Sequence, residues 1–217
     1  MKAPDEKDYY ESPRPEMLRF VPMDAMRILE IGCAAGIFGN SIKRRQPCDV
    51  WGMELSEKHG HCAEKLLDKV IIGDVSEKLN ELPERFFDCI VCNDILEHLI
   101  DPFTFIKHLK RHIEPGGKII CSIPNVRYYR VIKDLLINGD WKYKESGVLD
   151  MTHLRFFTKK SILRMFKEFG WEVLHIEGIN PTSSSTFRIL NVLLLGFIAD
   201  ARYRQFAVIA KPLNDKP

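Results

Sequence analysis

The chain has no long hydrophobic run, no excess of charge of either sign and no clustered set of cysteines, and each absence removes a class of function. Its longest apolar stretch, Phe187 to Ala199, falls short of the roughly 20 residues a helix needs to cross a bilayer, and it contains Arg188 and Asn191. No transmembrane segment is expected. The 32 basic and 30 acidic residues leave a formal charge of +2, too weak a field to gather nucleic acid, so no nucleic-acid partner is expected either. The trio Lys43-Arg44-Arg45 reads as a solvated helix end. The six cysteines, Cys33, Cys48, Cys62, Cys89, Cys92 and Cys121, are scattered and mostly lie in apolar runs, which argues against a disulfide framework. Cys89 and Cys92 form a C-x-x-C, but within Phe87–Cys92, which reads as a buried strand. Positions three apart on a strand face opposite ways, so a redox or zinc pair is disfavoured. Nothing near Met1 has the charged-then-apolar order of a secretion signal, so reduced thiols and a cytoplasmic location are the expectation.

What is present is an ordinary globular composition, 45% hydrophobic and 29% charged over 217 residues, enough for one domain with a sizeable core. Short apolar runs at 27–31, 49–54, 69–72, 87–92 and 118–123 alternate with stretches of helical spacing, which predicts an α/β fold with a parallel sheet and helices on both faces. Helices are expected over 37–45, 57–67 and 102–113, with Ser56 and Asp101 as N-caps. Glu114-Pro115-Gly116-Gly117 reads as a turn that stops the chain before the fifth strand. Beyond it, 126–137 and 159–169 read as helices, 138–150 as loop, and 171–177 and 204–210 as strands joining one sheet edge in antiparallel fashion. Residues 1–24, rich in proline, are expected to form an arm or lid. Residues 25–217 form the domain, with substrate-side segments at about 124–158 and 180–200.

The polar residues of the first five strands fall at their carboxyl ends, where open α/β sheets bind ligands. Strand one ends in Glu30 and the small-residue turn Gly32 to Gly36, strand two in Glu54, strand three in Gly73-Asp74-Val75, strand four in Asn93-Asp94 and strand five in Pro124-Asn125. A small-residue turn lets backbone N–H groups approach a ligand, and a carboxylate at a strand tip can accept from both hydroxyls of a ribose. Glu54 is expected on the ribose, Asp74 on an exocyclic amine of adenine, and Leu55 and Val75 against the base. The reading is a nucleoside-binding cradle that includes Glu30, Gly32, Cys33, Ala34, Gly36, Asn93 and Asp94.

Glu30-Ile31-Gly32-Cys33-Ala34-Ala35-Gly36 resembles the acid-x-Gly-x-Gly-x-Gly signature of class I S-adenosylmethionine-dependent methyltransferases, with Ala34 in place of the middle glycine. Glu54, Gly73-Asp74-Val75, Phe87-Asp88-Cys89-Ile90 and the approach to strand five from Leu109 through Gly117 match further family motifs over roughly Arg27 to Ile123. The resemblance implies a Rossmann-like three-layer sandwich whose seven strands run 3-2-1-4-5-7-6 with the last antiparallel, and S-adenosylmethionine as cofactor. The methyl of Ala34 is tolerated in that turn if its φ is negative. Tyr9-Tyr10, Arg14-Pro15-Glu16-Met17-Leu18 and Leu149 to Thr158 resemble a bacterial subgroup associated with polysaccharide and cell-envelope glycan modification.

Transfer to a hydroxyl acceptor needs a base, and histidine suits that task. His98, after strand four, and His153, with Asp150 to orient its imidazole and Arg155 to hold an anionic group, are the candidates. The competing structural readings are that His98 caps a short helix and that Asp150 and Arg155 pair to pin their loop. Asp94, Glu97 and His98 with distant His153 also resemble the arrangement in metal-dependent RNA 2′-O-methyltransferases and ubiquinone-pathway O-methyltransferases. Ordinary family members carry Glu-His-Leu here without metal, and no metal is expected. The leading expectation is O-methylation of a small-molecule or glycan-like hydroxyl, with a homodimer left open. The alternatives are a silent S-adenosylmethionine-binding regulator or scaffold and a nicotinamide-dependent oxidoreductase, whose Gly-x-Gly-x-x-Gly spacing the turn lacks.

Overall fold

A computed structural model describes residues 13–213. Five parallel strands form its centre: β1 (Arg27–Ile31), β2 (Asp49–Glu54), β3 (Lys69–Ile72), β4 (Phe87–Asn93) and β5 (Ile113–Pro124). Two long strands, β6 (Trp171–Pro181) and β7 (Tyr203–Pro212), complete a seven-stranded sheet of order β3-β2-β1-β4-β5-β7-β6. β7 is antiparallel to both β5 and β6. The sheet order and the antiparallel last strand are those expected from the sequence.

The central strands are apolar on both sides because both sides are covered. Leu29, Ile31, Ile90, Cys92, Ile119 and Cys121 face one core, and Ile28, Val50, Cys89, Val91 and Ile120 face the other. Cys89 and Cys92 therefore lie in different cores, as a strand's alternation requires.

The helices are α1 (Pro15–Leu18), α2 (Ile37–Arg45), α3 (Glu57–Ala63), α4 (Val75–Lys78), α5 (Pro102–Leu109), α6 (Tyr129–Asn138), α7 (Lys159–Glu168) and α8 (Ser185–Leu193). Ser56 and Asp101 cap α3 and α5 through their side-chain oxygens. α3 ends four residues sooner than its pattern suggests, and Leu67 instead lies over Gly39 and Gly52, where an added Cβ would come within 2.7 and 2.8 Å of it. α5 gives way to a 3-10 turn at Lys110–His112. α6 starts late because the Asn125 side chain accepts from the Arg127 N–H at 3.0 Å and holds a turn there.

The Pro-Gly-Gly segment is not a turn before β5 but part of the strand. Ile113 pairs with Phe87 and Lys118 with Cys89, so five steps on β5 match two on β4, and the surplus forms a bulge. Gly116 has φ +91°, and a Cβ on Gly117 would meet the Ile113 side chain at 2.6 Å and the Asp88 carbonyl oxygen at 3.0 Å. Local turn chemistry is used here to bulge a strand.

Of the arm, residues 13–24 are described, while Tyr9 and Tyr10 lie outside the described residues. Met17 and Val21 are buried against α2, and the side chains of Arg45 and Gln46 donate to the carbonyls of Leu18, Val21, Pro22 and Ala25. This part of the arm is packed into the domain.

Candidate active site

The carboxyl ends of β1 to β4 open onto a cavity of about 900 Å³, at the upper end of the range for small-molecule sites. Glu30, Gly32, Cys33, Ala34, Glu54, Leu55, Asp74, Val75, Asn93 and Asp94 line it. Gly36 does not, but it closes the turn behind them, and a Cβ there would meet Ala63 at 3.0 Å.

The turn is built from alternating left-handed residues: Gly32 at φ +69°, Ala34 at +48° and Gly36 at +79°. The negative φ that would accommodate the Ala34 methyl without strain is not what the turn adopts, and the methyl sits in a conformation that L-residues disfavour. What holds it is Glu54. One carboxylate oxygen accepts from the Ala34 N–H at 2.8 Å and the other from the Ser56 N–H at 2.9 Å, so the acid ties the tip of β2 to the turn after β1. Asp74 accepts from the Ser76 N–H at 2.7 Å and so caps α4 while lining the cavity.

Two polar groups on the cavity wall have no partner. The amide oxygen and nitrogen of Asn93 are buried without a hydrogen bond, as is Oε2 of Glu30. Buried polar atoms are rarely left this way, so the Asn93 amide fits a ligand that brings donors and acceptors, while Oε2 of Glu30 lies against Gly39 of α2. Burial pushes the Glu30 carboxyl up to about 8, and the Glu54 charge adds to the rise, while the Gly39 N–H and Arg14 oppose it.

Asp94 lines the cavity with its carboxylate already engaged. At φ +54° it closes β4, and its carboxylate accepts from the Arg14 guanidinium, from the Ser122 hydroxyl at 2.7 Å and from the Gln205 amide at 2.7 Å. Arg14 also reaches the Ser122 hydroxyl at 3.0 Å and Glu16 at 2.9 Å, and it lines the cavity. Arg14, Ser122 and Gln205 were not singled out as site residues. They come from the arm, β5 and β7, and no local motif links positions so far apart in the chain.

The candidate catalytic groups are also rearranged. Asp150 does not orient His153. Its Oδ1 accepts from the Thr152 N–H at 2.8 Å and the Thr152 hydroxyl at 2.7 Å, and that hydroxyl lies 3.1 Å from Nδ1 of His98. Since the Thr152 proton points to Asp150, its oxygen must accept from His98, and the Thr152 carbonyl at 3.3 Å from Nδ1 can only accept as well. These contacts assign the proton of neutral His98 to Nδ1 and leave Nε2 bare. His98, Asp150 and Thr152 line the cavity, so the carboxylate acts on the cavity histidine through a hydroxyl that sequence reasoning missed.

His153 is buried outside the cavity lining, with Nδ1 3.1 Å from the Val148 carbonyl and its ring edge-on to His98 at 4.8 Å. Burial holds its imidazole below the ordinary value, and His98 acts in the same direction. Its Nε2 stands 3.9 Å from Glu97, a fully buried acid with both oxygens unpartnered. Burial, with the Asp94 charge, pushes the Glu97 carboxyl well up. Arg155 turns away, donating to the carbonyl of Ile100, and among the described residues it forms no salt bridge with Asp150. The loop-pinning pair is thus corrected, and Arg155 lies outside the cavity lining. Glu97, His98 and His153 offer ligand atoms within 4.8 Å of one another, but Asp94 belongs to the Arg14 network and is not in that cluster.

The decisive comparison is with a family model described as "Methyltransferase domain", which matches residues 6–176. The chain belongs to this methyltransferase-domain family. Its cofactor is S-adenosylmethionine, and the unpartnered Asn93 amide on the cavity wall fits such a ligand. Two curated relatives are ubiquinone biosynthesis O-methyltransferases. That of Maricaulis maris is 29% identical over 125 residues, covering 55% of this chain and 48% of its own length, and that of Neisseria meningitidis serogroup A is 24% identical over 161 residues, covering 70% and 66%. The chain thus spans about half to two thirds of the length of these relatives. Among solved structures, a SAM-dependent methyltransferase from Archaeoglobus fulgidus superposes with a TM-score of 0.67 at 19% identity, over 90% of this chain and 91% of that one. The likeness shows a shared methyltransferase fold, and the nicotinamide alternative finds no support.

Proposed function

We propose that this methyltransferase transfers the methyl group of S-adenosylmethionine to a hydroxyl oxygen of a small-molecule or glycan-like acceptor, with His98 as the general base. When bound, the cofactor supplies a methyl on a sulfonium, which is displaced in line. The protein's own work is to hold both reactants, exclude water and take one proton. Glu54, Asp74 and the turn from Gly32 to Gly36 hold the nucleoside half, and Arg14, Glu30 and Asn93 face the remainder. Nε2 of His98 takes the acceptor proton, and Thr152 with Asp150 stabilises the imidazolium that results.

The observation that carries this reading is the Asp150–Thr152–His98 chain at the cavity wall, because it fixes the tautomer a base requires. The curated relatives, O-methyltransferases of ubiquinone biosynthesis, support an oxygen acceptor. The motif resemblance around Leu149 to Thr158 supports a glycan-like one. The test is transfer of tritiated methyl from S-adenosylmethionine to a panel of phenols and sugars. Transfer that falls about 100-fold in His98→Ala, within the usual range for losing a general base, is the expected outcome. A panel that never yields S-adenosylhomocysteine would favour the silent regulator.

A second reading places a divalent cation on Glu97, His98 and His153, favoured by their mutual approach within 4.8 Å. Activity lost on chelation and restored by added magnesium or zinc would select it over the base.

A further inference from the structure

The segment after β6 does something a core helix does not. Every residue from 189 to 197 except Asn191 and Gly196 is a large aliphatic or aromatic side chain, and each of these is exposed, up to 86% at Phe197 and 95% at Leu195. α8 is anchored at its first turn only. Phe187 is buried there, with its ring 5.5 Å from that of Tyr129 at the start of α6, and Ser184 caps the helix. Beyond that turn Asn191 is half-buried with its Oδ1 out of solvent, while the apolar side chains around it are exposed.

The projecting end is a built turn. Leu194 N–H donates to the Leu190 carbonyl at 2.9 Å, Gly196 N–H to the Asn191 carbonyl at 2.8 Å and Phe197 N–H to the Leu194 carbonyl at 2.9 Å, so the backbone is satisfied. Leu195 holds φ +49° at the tip. A branched apolar residue in a left-handed conformation, nearly fully exposed, suits neither local propensity nor solubility.

Charge indicates what covers this surface. Stretches 127–133 and 185–204, joined by the Tyr129–Phe187 pair, carry six basic residues against one acid, a net +5 in a chain whose total is +2. The one acid, Asp200, faces Arg127 at 3.4 Å, while Arg130, Lys133, Arg188, Arg202 and Arg204 are exposed. Between residues 189 and 199 only Asn191 has a side chain able to hydrogen-bond, so the surface offers almost nothing for a protein partner to read. No helix of the described residues is long and apolar enough to cross a membrane.

We propose that α8 and its Leu195–Phe197 tip form an interfacial membrane anchor, with the apolar side chains entering the headgroup and acyl boundary of an anionic bilayer and the surrounding arginines meeting lipid phosphates. An apolar helical face bordered by cations is the pattern of helices that lie in the interface without spanning it. The anchor is independent of the methyl-transfer reading, because it uses no residue of the cavity.

The test is flotation of the full chain with vesicles of phosphatidylcholine alone and with about 30 mol% phosphatidylglycerol, near the anionic content of a charged leaflet. Binding to the anionic vesicles that weakens in high salt is expected. The double variant Leu195→Asp/Phe197→Asp should bind about tenfold more weakly while its thermal midpoint and its affinity for S-adenosylhomocysteine stay unchanged, since both residues are on the surface. Arg188→Glu/Arg202→Glu should lose the preference for anionic lipid. The proposal is overturned if neither vesicle floats the protein, or if the double aspartate variant floats as well as the parent. It is equally overturned if the parent forms a dimer that the same variant dissociates and no vesicle binds, which would assign the face to a second copy.

Discussion

Ala34 carries a methyl group at φ +48°, a conformation that costs an L-residue about 1–2 kcal/mol, and the chain accepts this because the Ala34 N–H is drawn to Glu54. Glycine in its place would shed that strain but gain freedom in the unfolded state worth roughly 0.4–1 kcal/mol. Ala34→Gly is therefore expected to raise stability by about 1 kcal/mol in urea unfolding with cofactor affinity retained. Unchanged or reduced stability would show that the methyl is held by packing instead. Glu30 gives a prediction with a sign. Its folded carboxyl, raised by burial to about 8 from 4.5, holds a proton that the unfolded chain releases, so its contribution to stability is complete below about 4.5 and is lost as pH rises toward 8. In Glu30→Gln that loss between pH 5 and 8 disappears from the urea-derived stability profile, and a profile identical to the parent's would refute the buried neutral acid. Thr152→Val removes the link from Asp150 to His98. Methyl-transfer kcat should fall by about 10- to 100-fold with S-adenosylhomocysteine binding unchanged, whereas a fall in binding alone would mark Thr152 as merely structural.

The β5 bulge depends on two glycines that local rules assign to a turn. Gly117→Ala would drive a methyl to 2.6 Å from Ile113 and 3.0 Å from the Asp88 carbonyl, and should cost about 1–3 kcal/mol in denaturant unfolding. Gly116→Ala meets nothing within 4 Å, so its cost comes from φ +91° alone. Strands β1 to β3 and helix α2 were legible residue for residue, since their apolar runs and breakers are local signals. Where expectation and structure part, a distant neighbour decides. Leu67 leaves the helical register to fill the space over Gly39 and Gly52, and the Asn125 turn postpones α6. β6 and β7 extend beyond their alternating cores because each pairs with the other along its whole length.

For the whole molecule, the sequence shows where the cavity forms more clearly than which side chains join across it. The residues that line the cavity fall at consecutive strand ends, so order along the chain maps onto order around it, and the places of Glu30, Glu54, Asp74 and Asn93 in its lining were readable in one pass. The Arg14–Asp94–Ser122–Gln205 network and the Asp150–Thr152–His98 chain join segments 28 to 111 residues apart, and only the assembled sheet brings them together. The same assembly leaves α8 as a projecting apolar element that no part of the cavity uses. The account rests on the cavity at the carboxyl ends of β1 to β4 being the S-adenosylmethionine site, with Glu54 tying the two strand tips that form it. Calorimetric titration of S-adenosylhomocysteine into the parent and into Glu54→Ala tests this most directly. One site per chain in the parent, and affinity at least about tenfold lower in Glu54→Ala through loss of a charge-assisted hydrogen bond, is the predicted result. No binding by the parent, or equal binding by the variant, would contradict it.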